Sequence, residues 1–179
     1  MGQPTDMKAS MRTWGWVPLV VVVGSSACQT GENGARSMTP PQTAAIEDSV
    51  RRFAATVASD LTGEGPAAWR RHFAATSAFF MASEGQIVLP NSDSATAVIR
   101  DLARGMTHLE LRWGDSLRVD PLVPGLAVLG APYREVRVDT AGHRVEEAGY
   151  MTAVVEDRAG RWQFRSLHWS VVHAPPPVR

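Results

Sequence analysis

Apolar residues recur every three or four positions from Ile46 through Val50, Phe53, Val57 and Leu61, while Glu47, Asp48, Arg51 and Arg52 take the opposite side. That period predicts an amphipathic helix of about five turns. Thr39-Pro40-Pro41-Gln42 has capping-box spacing with proline at the first helical position, and Gly63 and Gly65 supply the stop. Pro66 then opens a short second helix through Trp69 to about Phe73. The period changes to two over Ser77–Ala82 and Gln86–Leu89, a short hairpin turning at Glu84-Gly85. Pro90-Asn91-Ser92 breaks the chain and caps a third helix, in which Ala95, Val98, Ile99 and Leu102 share a face before Gly105. From Thr107 onward the alternation predicts four long antiparallel strands. The first carries Leu109, Leu111 and Trp113 against Glu110 and Arg112, and the others cover about 126–138, 145–156 and 161–172. Asp139-Thr-Ala-Gly142 and Asp157-Arg-Ala-Gly160 join them with turn chemistry.

The order of these elements, three helices and a small hairpin before a long meander, resembles that of the nuclear transport factor 2-like superfamily, which includes the SnoaL-like and ketosteroid isomerase-like proteins. The closing segment strengthens the likeness. Glu147–Val155 leads into Asp157-Arg-Ala-Gly160, after which Trp162, Phe164, His168 and Ser170 follow as in that family's last hairpin. The resemblance covers about residues 44–172 and implies an α+β fold. In it a cone-like curved antiparallel sheet of about 4–6 strands wraps around three N-terminal helices, leaving a conical cavity for a small ligand. The superfamily hosts isomerases, cyclases, dehydratases, hydrolases and members without chemistry, so the fold does not choose among them. Sheet-to-sheet dimers are common in it.

The ends change the picture from a domain to an exported domain. Lys8 and Arg12 precede an apolar run from Trp14 to Val23, too short for the roughly twenty residues that span a bilayer. Gly24, Ser25, Ser26 and Ala27 then close on Cys28, which resembles the bacterial lipobox, with Ser25 standing where that pattern prefers an aliphatic residue. Cys28 is the one cysteine in the chain. It has no partner for an internal disulfide, and acylation would remove a free thiol from an oxidising compartment. The other reading makes Cys28 an ordinary residue after a conventional Ser-Ser-Ala cleavage site. The expected division is a lipoprotein signal peptide at 1–27, a lipidated flexible tether at 28–43, the folded domain at 44–173 and a Pro-rich tail at 174–179. The expected location is the bacterial cell envelope, anchored to a membrane by lipid. Eighteen basic and eighteen acidic residues cancel, with no basic cluster to meet a phosphate backbone, so no nucleic-acid partner is expected.

Candidate chemistry follows from which side chains share a strand face. Strict alternation puts Trp162, Phe164, Ser166, His168 and Ser170 together on the last strand, and Tyr150, Thr152 and Val154 together on the strand before it. If these faces look into the cavity, His168 and Tyr150 are polar groups in an apolar cup, and an imidazole can act as acid, base or donor. His168 as a satisfied core residue is the simpler alternative. Tyr133 and Glu135 share a face of an earlier strand, and a carboxylate beside a phenol can abstract a proton and steady an enolate. The competing reading puts Glu135 at a solvent-exposed strand end near Arg134 or Arg137. Trp113 is either core or cavity wall. The opposite face of the last strand then carries Leu167, Trp169 and Val171, an apolar row calling for a partner such as a second copy in a homodimer.

The histidines at 72, 108, 143, 168 and 173 have no metal-ligand spacing, and phosphate loops and Gly-x-Ser-x-Gly elbows are absent, so neither metal nor cofactor is expected. The leading expectation is a lipid-anchored cavity that holds a small, mostly apolar molecule without turning it over, lined by Trp113, Tyr133, Tyr150, Phe164 and His168. The alternatives are an isomerase, cyclase or dehydratase using His168 or Glu135, and a structural interaction module.

Overall fold

The chain's first helix begins on a pair of prolines, whose missing N–H groups are ones the first turn leaves unpaired anyway. In the computed structural model, which describes residues 38–172, this helix is α1, Pro40–Glu64. Thr39 N–H donates to Gln42 Oε1 at 2.9 Å, and Thr43 N–H donates to Thr39 O at 3.0 Å. The helix therefore begins where the capping-box spacing places it, inside the 28–43 span assigned to the tether, and at 25 residues it is longer than five turns. Gly65 ends it at φ 74°, a left-handed conformation that favours glycine. The proposed signal peptide, Cys28, His173 and the Pro-rich tail lie outside the described residues. No helix among the described residues is long and apolar enough to cross a membrane.

A 3-10 turn at Pro66–Ala68 runs into α2, Trp69–His72, followed by the hairpin of β1 (Phe80–Ser83) and β2 (Gln86–Leu89). The N-cap of α3, Ser92–Gly105, is Asn91, whose Oδ1 accepts from Ser94 N–H at 2.9 Å. The remaining strands are β3 (Met106–Trp113), β4 (Arg118–Val123), β5 (Leu126–Asp139), β6 (Arg144–Arg158) and β7 (Arg161–Val171).

Among the described residues the fold is α+β, with three α-helices and one curled, unclosed sheet. That sheet has seven strands in the order β2-β1-β7-β6-β5-β3, with β4 also on β5. The strand missing from the sequence reading is β4, where Pro121 and Asp120 obscure the alternation. It sits at an edge, where proline is tolerated. It pairs with the Leu126–Gly130 part of β5, while β3 takes the Tyr133–Asp139 part. The corner between them is tight: Gly114 N–H donates to Pro132 O at 2.8 Å, and a Cβ on Gly114 would lie 3.1 Å from Pro132 Cβ. One pairing is parallel, β1 with β7, so the hairpin extends the sheet past its last strand. The core lies between the helices and one face of this sheet, built on Val50, Val57 and Leu61 of α1 with Leu129, Met151, Val155 and Phe164 of the strands.

One residue reverses the predicted face of β7. Val154 pairs with Ser166 but Val155 pairs with Phe164, so Arg165 is an extra residue and the strand bulges there. Before the bulge Trp162 and Phe164 face the helices. After it Leu167, Trp169 and Val171 do, while His168 is exposed. The apolar row that argued for an outer dimer face therefore points into the molecule.

Candidate functional site

Strands β5 and β6 put their odd-numbered residues toward the helices, and the consequence is a chain of polar side chains at one end of an apolar enclosure. On β5 these are Tyr133, Glu135 and Arg137, and on β6 Glu147. Their walls come from Trp69 and Phe73 around α2, Met81, Val88 and Leu89 of the hairpin, Val98, Ile99 and Leu102 of α3, and Trp169 and Val171 of β7. Together they enclose a cavity of about 260 Å³. That is just under the range of about 300–1,000 Å³ usual for drug-sized ligands.

The aromatic wall is continuous. Trp69 stacks on Phe73 at 5.0 Å between ring centroids and meets Trp169 edge-on at 6.1 Å, and Trp169 meets Tyr133 edge-on at 4.4 Å. Tyr133 fits because its strand neighbour is Gly149: a Cβ there would be 2.9 Å from Tyr133 Cε1 and 1.8 Å from Ser170 O. The phenol donates to Ser170 O at 3.4 Å. Burial, with the negative charges of Glu147 and Glu135, pushes its pKa up to about 12, so it stays a neutral hydroxyl.

The polar end is a three-residue network. Arg137 Nε lies 3.2 Å from Glu135 Oε1, and Arg137 Nη2 lies 2.6 Å from Glu147 Oε2. The Glu135 side chain is 15% exposed, and its pKa is raised from 4.5 first by burial, with Arg137 opposing and Glu147 reinforcing. Both earlier readings of Glu135 thus hold in part: it is beside Arg137, and it is inside the cavity with Tyr133.

The other predicted site residues separate. Tyr150 is on the opposite sheet face, 41% exposed, with its hydroxyl packed over Gly130, and His168 is on that same face. Neither lines the cavity. The reason is strand parity on β6, where Met151, Ala153 and Val155 are the buried set, and the Arg165 bulge on β7. Phe164 is fully buried in the core against Phe53, with centroids 5.0 Å apart, and does not line the cavity. Trp113 lies behind it: its indole N–H donates to Ala54 O at 2.7 Å and its ring stacks with Trp169 at 6.0 Å.

Sequence reasoning named Arg137 only as a neighbour of Glu135 and missed the cavity role of Arg137, Glu147, Trp69, Phe73 and Trp169. Arg137 was legible as the next alternate residue after Tyr133 and Glu135. Glu147 was legible by counting back from the Asp139–His143 turn, which sets Glu135 opposite Glu147. A second buried polar pair lies away from the cavity: His72 Nε2 is 2.9 Å from Asp60 Oδ2, clamping α2 to α1. Among the described residues, no three of His, Cys, Asp and Glu converge as metal ligands.

No family model matches the chain, and no curated protein matches it. Solved structures do. A nuclear transport factor 2-like superfamily protein from Salmonella enterica serovar Typhimurium aligns over 78% of this chain and 97% of its own, with a TM-score of 0.58 at 10% identity. The fold is that of the nuclear transport factor 2-like proteins. Two further structures show it carried by proteins described as enzymes. A hexachlorocyclohexane dehydrochlorinase aligns over 78% of this chain and 100% of its own, with a TM-score of 0.60 at 12% identity. A putative scytalone dehydratase from Novosphingobium aromaticivorans aligns over 74% and 88%, with a TM-score of 0.59 at 12% identity. At such identities the nuclear transport factor 2-like likeness is one of fold.

Proposed function

We propose that this chain is an exported, lipid-anchored domain that holds a small, mostly apolar molecule in its cavity and releases it unchanged. The observation that carries the reading is the cavity itself: an aromatic and aliphatic wall from α2, α3, the hairpin and β7, closed at one end by Tyr133, Glu135, Arg137 and Glu147. Apolar walls supply affinity through burial, and a few convergent polar groups orient the ligand. Export and anchoring rest on the signal-like start and on Cys28.

A second reading is favoured by one specific observation. Glu135 is a half-enclosed carboxyl with a raised pKa on the same strand face as a neutral phenol, the pairing needed for proton abstraction beside a carbonyl. In that case the domain is an isomerase or dehydratase with Glu135 as base and Tyr133 as hydroxyl donor. His168, exposed on the far face, has no part in it.

Native mass spectrometry of the chain purified without added ligand decides between them. The binding reading expects a defined extra mass that is lost in Val98→Trp, which fills the cavity mouth, and a ligand recovered unchanged after long incubation. Conversion of the recovered compound by wild type but not by Glu135→Gln would establish the enzyme instead. A bare chain that gains no mass from small apolar compounds would overturn both.

A further inference from the structure

Glu135 and Glu147 are direct cross-strand partners on the cavity face of β5 and β6. Like charges in that relation repel, and a half-buried position strengthens the repulsion. A single guanidinium, that of Arg137, reaches both, at 3.2 Å and 2.6 Å. Two carboxylates against one cation leave an excess negative charge at the polar end. The Tyr133 hydroxyl, 3.4 Å from Ser170 O, is neutral and adds no positive charge. The rings of Trp69, Phe73 and Trp169 line the same cavity and supply apolar surface for the rest of a ligand.

We propose that the cavity's ligand is a small amphiphilic amine, with an aromatic or aliphatic body against the wall and a protonated nitrogen between Glu135 and Glu147. This rests on the binding reading above and names its ligand class. An ammonium supplies the missing positive charge and donates to carboxylate oxygens. A neutral ligand leaves the repulsion in place, and an anionic one adds to it.

The test titrates the full chain with 2-phenylethylamine, 2-phenylethanol and 3-phenylpropionate, followed by tryptophan fluorescence. The amine is expected to bind about ten-fold tighter than the alcohol, as for a hydrogen bond to a charged group, and the carboxylate weakest. Glu147→Gln is expected to bring amine and alcohol to within about two-fold, with a wild-type circular dichroism spectrum and a cooperative thermal transition showing that the variant is folded. Equal or tighter binding of the alcohol to wild type overturns the amine while leaving the cavity as a binding site. An amine preference that survives both Glu147→Gln and Glu135→Gln overturns it too. Failure of all three compounds to saturate any signal removes the binding reading with it.

Discussion

Gly149 is the residue on which the cavity's geometry turns. It has no side chain because the space is already taken, by the Tyr133 ring on one side and the Ser170 carbonyl on the other. Gly149→Ala forces β6 from β7 and displaces the phenol. The expected cost is about 2–3 kcal/mol, in the range of overpacked cores, with a melting temperature lower by roughly 6–10 °C in a thermal scan. An unchanged melting temperature would mean that the β6–β7 pairing yields there at no cost. Residue-scale chemistry was partly legible in the sequence, since Tyr133 and Glu135 alternate on one strand and did prove to share the cavity. Tyr150 misled because the β6 pattern offers two competing sets, Tyr150, Thr152 and Val154 against Met151, Ala153 and Val155, and His168 because the Arg165 bulge shifts the face of β7. Hydrophobicity alone cannot choose between two such sets.

At the scale of elements, the contact of α1 with α2 is held by ionisable groups. His72 is 5% exposed, hydrogen-bonded to Asp60 and edge-on to Phe53, while Arg71 pairs with Asp60 and Glu64. Burial lowers the His72 pKa below 6.5 despite the opposing pull of Asp60. The unfolded chain therefore takes up this proton first. The stability associated with the neutral ring is complete above about pH 6.5 and is lost as pH falls through the folded value. Denaturant titrations between about pH 7.5 and 5 should show stability falling with acid, and His72→Gln should flatten the slope over that window. An identical slope in the variant would assign the acid sensitivity to other groups. The helices and long strands were readable because caps, glycines and period set them locally. The Arg165 bulge was not, because an extra residue in a strand of mixed pattern leaves no local mark and is fixed only by what Phe164 and Trp169 can both bury against.

For the whole molecule, the point where the chain enters and the polar end of the cavity lie toward opposite ends of β5. Near the start of α1, Ser49 Oγ accepts from the Trp162 indole at 3.0 Å, close to the β4–β5 turn, whereas Glu135 and Arg137 approach the β5–β6 turn. Cys28→Ser is expected to move the protein from the membrane to the soluble fraction on cell fractionation, and unchanged membrane recovery would remove the anchor. The sequence by itself determined the α+β class, the three helices, the hairpin and the long strands, because helix capping, turn glycines and hydrophobic period act over a few residues. Only tertiary structure decided the parallel β1–β7 pairing, the division of β5 between β3 and β4, and the side chains that meet in the cavity. Those depend on register and on one bulge, which are chosen by the best joint burial of distant residues rather than by any local pattern.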